Sequence, residues 1–168
     1  MLYKAFYNSN LGQITMLSDG QYITDLRFEQ DRFYDNYKVE QAMEADLSIF
    51  ELTRKWLDTY FAEKEPTFTV PIKLEGTEFQ MQVWQLLQKI PYGITITYKE
   101  LADKVALIRG QQHMSAQAVG NAVGRNPICI IVPCHRVIGA KKKLVGYASG
   151  VDIKAALLAS EGVLDVEY

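Results

Sequence analysis

The chain has 168 residues, 48% of them apolar, with 18 basic and 20 acidic side chains and a formal net charge of −2. That is enough to bury the core of one generous domain or two small ones without covalent staples, and no window approaches a membrane span or, between Met1 and Phe6, a signal-peptide core. Two cysteines and two histidines cannot supply a four-ligand zinc site of the usual spacing, so no metal and no disulfide framework is expected, and reduced thiols point to a cytoplasmic setting.

The charge is unevenly spread. Up to Gly76 there are 8 Lys/Arg against 13 Asp/Glu, and from Thr77 onward 10 against 7, which is −5 and then +3. The small positive balance of the second part is compatible with a polyanion partner, although the ordinary reading of such an excess is a solvated surface.

In chain order, Leu2–Tyr7, Gln13–Leu17 and Tyr22–Phe28 alternate between the turn signals Asn8–Gly12 and Ser18-Asp19-Gly20, which predicts a three-stranded meander. Glu29–Ala45 is polar with scattered aromatics at Phe33, Tyr34 and Tyr37 and reads as partly helical. Leu47, Phe50, Leu57, Tyr60 and Phe61 recur at helical spacing, so Leu47–Ala62 is expected to be an amphipathic helix with Asp46 as its N-cap. Thr67–Leu74, with Pro71 inside, predicts an edge strand or extended linker. Glu75-Gly76 then divides the chain into an N-terminal α/β domain, 1–76, and a second domain, 77–168.

Thr77–Lys89 is the next predicted helix, with Phe79, Val83, Leu86, Leu87 and Ile90 on one face, and Ile90-Pro91-Tyr92-Gly93 stops it. A short β-rich piece, Ile94–Ile96, leads to Thr97-Tyr98-Lys99-Glu100, whose Thr-x-x-Glu form is a capping box for a helix from Tyr98 to about Leu107. After the polar loop Ile108–Met114, Ser115 is a second N-cap and Ala116–Val123 a second helix. The pair has a helix-turn-helix pattern with a long connection. Ala116, Ala118, Gly120 and Ala122 lack bulk, and Gly120 costs the helix about 1 kcal/mol relative to Ala. A smooth face there serves either close approach to another surface, such as nucleic acid, or tight packing against a neighbouring helix.

Gly124-Arg125-Asn126-Pro127 breaks that helix, and Ile130-Ile131-Val132 predicts a short buried strand running through Pro133 to Cys134 and His135. A cysteine at its ordinary pKa is mostly thiol near neutrality, so a nucleophile there needs a base or cation beside it, and His135 and Arg136 are candidates. The bland alternative is a small buried thiol next to a satisfied core histidine. Further on come an exposed basic turn, Lys141-Lys142-Lys143, a loop of small residues, Leu144–Gly150, and a final helix Ile153–Glu161 with Asp152 as cap and Gly162 at C′. Glu161 in the last turn faces the negative end of the helix dipole, a placement disfavoured by roughly 0.3–1 kcal/mol. A hydrogen bond from His135 would offset that and orient the imidazole.

Pro133-Cys134-His135-Arg136-Val137-Ile138, with Gly124-Arg125-Asn126-Pro127 before it and Gly146-Tyr147 and Glu161-Gly162 after it, closely resembles O6-alkylguanine-DNA alkyltransferases. So does Phe79-Gln80-x-x-Val83-Trp84 with Ile90-Pro91-Tyr92-Gly93 and Thr97-Tyr98, and the match runs from Thr77 to Gly162. The resemblance implies an α+β protein: a small α/β, ribonuclease H-like N-terminal domain followed by a mainly helical domain with a helix-turn-helix. It implies DNA repair by irreversible transfer of an alkyl group from O6-alkylguanine, with O4-alkylthymine as a second lesion of the same kind, to Cys134. His135 would be the base, acting through a water, and Glu161 its orienting partner. Asn126 would hold the turn together, and Tyr98 would lie near the flipped nucleotide's phosphate and protonate the leaving guanine. Ser115, Ala116, Gln117, Ala118 and Gly120 would enter the minor groove, with Thr97 and Arg125 also contacting DNA. Val132, Tyr147, Ala148, Ser149 and Gly150 would line the base pocket.

The implied partner is double-stranded DNA carrying alkylated bases, bound by a monomer without cofactor. One departure is Gln117, which stands where the family commonly has an Arg that fills the space left by the flipped base; another is the lengthened loop before Ser115. Two other readings are a non-catalytic lesion binder of the alkyltransferase-like type, in which the acceptor Cys is replaced, and a Cys-His hydrolase, for which no oxyanion-hole turn is evident.

Overall fold

The computed structural model describes residues 1–168 and divides into two units, Met1–Glu75 with Pro127–Cys129, and Gly76–Asn126 with Ile130–Tyr168. In the first, β1 (Tyr3–Ser9), β2 (Gly12–Ser18) and β3 (Ile23–Phe28) form the expected antiparallel meander. The polar stretch that follows holds α1 (Asn36–Gln41), capped by the Asp35 side chain on Lys38 N–H, and β4 (Met43–Glu44), which lies parallel to β1. The sheet order is therefore β3-β2-β1-β4.

α2 (Ser48–Phe61) packs on the sheet, with Phe50, Leu57 and Tyr60 fully buried alongside Ile14, Met16, Leu26 and Phe28. Its N-cap is Leu47 and not Asp46, and no side chain caps it; Phe50 and Glu51 N–H both donate to the Leu47 carbonyl. Thr67–Leu74 is extended but contributes only an isolated bridge, Ile72 to Ile23. The reason is local. Pro71 O accepts from Ile23 N–H and Lys73 N–H donates to Ile23 O, each at 2.9 Å, while Pro71 has no N–H of its own with which to extend the ladder. Further along the same edge of β3, Leu26 pairs with Ile128: Leu26 N–H donates to Pro127 O at 2.9 Å and Cys129 N–H to Leu26 O at 2.8 Å. A remote three-residue piece thus covers an edge that would otherwise be open.

In the second unit, α3 (Glu78–Leu87) starts from a full capping box between Thr77 and Gln80. β5 (Ile96–Thr97) leads straight into α4 (Tyr98–Ile108), which starts from the Thr97–Glu100 box. Arg109–Ser115 joins it to α5 (Ala116–Gly124), capped by Ser115 on Ala118 N–H at 3.2 Å. The three helices bury Val83, Leu87, Leu101, Val105, Val119 and Val123, and Trp84 Nε1 donates to Ala122 O at 2.8 Å, which ties α3 to α5.

The strand expected at Ile130–Val132 is absent. Ile130 has φ +70°, a conformation costly for a β-branched residue, and the chain turns instead of extending. None of these three residues pairs with a strand that would reward an extended backbone. Its polar groups are satisfied inward, Val132 O accepting from Asn126 Nδ2 and from Cys134 N–H, both at 2.8 Å. Cys134–Arg136 is a single 3₁₀ turn, and only β6 (Val137–Ile138), after it, is extended. α6 (Val151–Ser160) closes the unit. It begins after Gly150, φ +106°, two residues earlier than an Asp152 cap would allow, and ends at Glu161 with Gly162 beyond at φ +86°. No helix is long and apolar enough to cross a membrane.

Candidate active site

The parallel pairing of β5 with β6, Ile96 to Val137 and Thr97 to Ile138, sets the first turn of α4 beside the 3₁₀ turn of Cys134. Residues far apart in sequence meet because each stands one step off a shared two-stranded ladder. Cys134 is buried at 5% exposure, with its Sγ 3.8 Å from the Tyr147 hydroxyl. Both cysteines are free thiols.

His135 is fully buried, and its Nε2 lies 2.5 Å from Glu161 Oε2. The other carboxylate oxygen accepts from Arg136 Nε and from Gly93 N–H, each at 2.8 Å. Burial alone would raise the Glu161 pKa. The hydrogen bond from His135, then Arg136 and the Gly93 amide, outweigh burial and hold it at about 2. His135 moves the other way overall. Burial, the largest cause, lowers its pKa against the opposing pull of Glu161, leaving the imidazole neutral near pH 7. The consistent state is an ionised Glu161 accepting the Nε2 proton, which leaves Nδ1 as the basic nitrogen.

The sequence motif Ile90-Pro91-Tyr92-Gly93, a helix stop that also carries part of the resemblance, belongs to this support. Ile90 O accepts from Arg136 Nη1 at 2.7 Å, the guanidinium lies 5.7 Å from the Tyr92 ring centroid, and Tyr92 Oη donates to Ser160 O at 3.2 Å. Gly93 has φ +76°, and a Cβ there would come 3.2 Å from Glu161 O, so the chain needs glycine to bring its amide onto the carboxylate.

On the other side of the thiol stands a residue the sequence reading passed over. Lys154, on α6, is fully buried, with Nζ 3.2 Å from Gly146 O and 3.4 Å from Tyr98 Oη, over the rings of Tyr98 and Tyr147 at 5.4 and 5.9 Å. Burial brings its pKa down to about 8, with the negative charge of a Cys134 thiolate opposing that fall. Tyr98 is pushed up to about 12 by burial and then by the same thiolate charge, and its hydroxyl donates to Val145 O at 3.3 Å. The missed signal was positional: Lys154 shares a helix face with Leu157, Leu158 and Glu161, and a lysine on a buried face requires a partner.

Of the residues expected in the site, Asn126 is buried and holds Val132 O, Ser149 is buried, and Tyr147 and Ala148 are half-buried beside exposed Gly150. Val132 is fully buried. Ser115, Ala116, Gln117 and Arg125 are exposed on α5, while Ala118 and Gly120 are half-buried. Gly120 faces inward, where a Cβ would lie 3.7 Å from the Tyr98 ring. That is an ordinary van der Waals distance, so an alanine would fit there and the packing of α5 on α4 does not by itself require glycine. Thr97 is half-buried and occupied in its capping box. Asn121, not singled out above, is exposed four residues from both Gln117 and Arg125, and completes an outward row.

Residues 78–163 match the 6-O-methylguanine DNA methyltransferase DNA binding domain, and residues 2–74 the ribonuclease-like domain of the same proteins. The chain is 39% identical over 163 residues to a methylated-DNA–protein-cysteine methyltransferase of Haemophilus influenzae, covering 96% of this chain and 87% of the relative. Against that of Methanosarcina acetivorans it is 41% identical over 161 residues, covering 96% and 99%. Among solved structures, Mycobacterium tuberculosis OGT in complex with DNA is similar at a TM-score of 0.83 and 38% identity, with 98% of this chain and 95% of that one covered. The M. tuberculosis O6-methylguanine methyltransferase crystal structure gives a TM-score of 0.82 at 40% identity, covering 96% and 93%.

Proposed function

Because the chain belongs to the 6-O-methylguanine DNA methyltransferase family, we propose that Cys134 is the atom donor's destination: the alkyl acceptor of a DNA repair reaction that runs once per molecule. The protein is a methylated-DNA–protein-cysteine methyltransferase that repairs DNA by alkyl transfer. The observation that carries the assignment of roles is the buried Glu161–His135 pair, 2.5 Å apart, which joins the end of α6 to the turn that bears the thiol.

Neutral His135, its Nε2 proton held by Glu161, takes the Cys134 proton through a water at Nδ1. The buried Lys154 cation stabilises the resulting thiolate. Sulfur attacks the alkyl carbon on guanine O6; the S–C bond forms, the C–O6 bond breaks, and its electron pair leaves with the guanine. Tyr98, still protonated at neutral pH, gives up its hydroxyl proton to the leaving base, and Lys154 hydrogen-bonds the phenol oxygen. Nothing is oxidised or reduced and no cofactor enters the balance. The product is a thioether, which has no carbonyl for water to attack, so the thiol is not regenerated.

Reaching O6 inside a duplex requires flipping the nucleotide, at roughly a few kcal/mol. Ser115, Ala116, Gln117 and Arg125 are the outward groups of α5 suited to a groove, and Tyr147–Gly150 is the loop suited to hold the flipped base. The partner is double-stranded DNA with alkylated bases, bound by a monomer in the reducing cytoplasm, where the acceptor stays a thiol.

The test is the intact mass of the protein after incubation with a short duplex carrying one O6-methylguanine. The expected result is a gain of one methylene, saturating at one per molecule and absent from Cys134→Ser. Tight duplex binding without any gain would overturn the transfer reading in favour of lesion binding.

A further inference from the structure

The loop that reaches over Cys134 is braced from outside the site. Between Gly139 and Leu144 the chain makes a turn in which two successive lysines, Lys141 and Lys142, have φ of +57° and +61°. Non-glycine residues rarely hold that conformation alone, and never by preference in pairs. The brace is the segment Val163–Glu167. Glu167 N–H donates to Lys142 O at 2.9 Å, Glu167 O accepts from Leu144 N–H at 2.6 Å, and Lys143 and Glu167 form a parallel bridge. Val163 and Val166 pack on the buried cluster of Ile138, Leu144 and Leu158, and Lys142 pairs with Asp165.

What this holds in register is the start of the pocket loop. Gly139 N–H donates to Lys143 O at 2.7 Å, and a Cβ on Gly139 would come 2.5 Å from Val145 Cγ2, so Val145 is folded tightly back on the turn. Immediately beyond, Val145 O receives the Tyr98 hydroxyl, Gly146 O receives Lys154 Nζ, and Tyr147 Oη lies by the sulfur. Two main-chain hydrogen bonds from one remote residue therefore fix the height at which three site contacts are made.

We propose that Val163–Glu167 is a strap that positions the Val145–Tyr147 segment over Cys134, with the Glu167 main chain as its fastening; this rests on the alkyl-transfer reading of the site. The Asp165–Lys142 pair is exposed and contributes little by itself. The fastening is the backbone, so it is sensitive to loss of one N–H and insensitive to loss of the Glu167 carboxylate.

The experiment uses the full chain and compares Glu167→Pro, which deletes the N–H, with Glu167→Ala, which keeps it. Three readings are taken: single-turnover transfer from an O6-methylguanine duplex, carbamidomethylation of Cys134 by iodoacetamide, and affinity for an unmodified duplex. Glu167→Pro is expected to slow transfer about tenfold through misplacement of the pocket loop, while iodoacetamide reacts severalfold faster with the uncovered thiol and duplex affinity is unchanged. Glu167→Ala should match the unsubstituted protein in all three. Val166→Ala, which thins the apolar seat and leaves the main chain intact, should move both rates in the same directions by less. Unchanged rates in Glu167→Pro overturn the strap. So does a joint fall in both rates with a lowered melting temperature, which would mark a merely structural contact. If the unsubstituted protein transfers no methyl group but the iodoacetamide difference persists, the transfer reading fails and the strap stands.

Discussion

Glu161 sits at the end of a helix where its charge is unwelcome, and three donors on one carboxylate reverse that. Removing the charge leaves His135 and Arg136 buried without their anion, so Glu161→Gln should cost about 3–5 kcal/mol of stability in denaturant titration. The pH dependence has a definite sign. Glu161 is depressed from 4.5 to about 2, so its contribution is complete above about pH 4.5 and is lost as pH falls toward 2. His135, held neutral by burial, begins to weaken the fold earlier, below its ordinary pKa of about 6.5, because the unfolded chain takes up the proton first. Denaturation midpoints should therefore start to fall below about pH 6.5, and in His135→Gln that first decline should vanish. Lys154 controls the alkaline side. With its pKa near 8, the transfer rate should decline as pH rises above that value, and Lys154→Gln should react about 10²-fold more slowly and without that alkaline limb, read by single-turnover kinetics.

At the scale of the helix, α5 presents the outward row Gln117, Asn121 and Arg125, with a single formal charge, beside inward Gly120. On the proposed function, Gln117→Arg should tighten duplex binding and steepen the dependence of log affinity on log salt by about 0.9, the signature of one added phosphate contact. The helices of this unit were legible because their start signals are local: Thr77, Thr97 and Ser115 each bond an amide three residues on, and the spacing is written in the sequence. Caps without such a bond were misplaced, at Asp46 and Asp152. The strand drawn before Cys134 failed for a different reason. β-branched residues favour extension, but Ile130 is turned by hydrogen bonds to Val132 that come from Asn126 and Cys134, and preference for extension has no effect where there is no strand to pair with. The thiol, imidazole and carboxylate could still be read by type, whereas Lys154 and the Gly93 amide depended on which helix face and which turn meet the site.

For the whole molecule, the first unit is not a continuous piece of chain. Its sheet is completed by Pro127–Cys129, and Ile128, fully buried on the edge of β3, is followed two residues later by Ile130 with its positive φ. Ile128→Ala should cost about 2–5 kcal/mol, as a large-to-small core change does.

That discontinuity has a consequence for inheritance. A gene exchange with one crossover near Glu75 would hand the offspring a sheet from one parent and its closing piece from the other. Leu26 and Ile128, a hundred residues apart on the message, must then be passed on as a matched pair. Chimaeras that import residues 127–129 with their sheet should outlast those that do not.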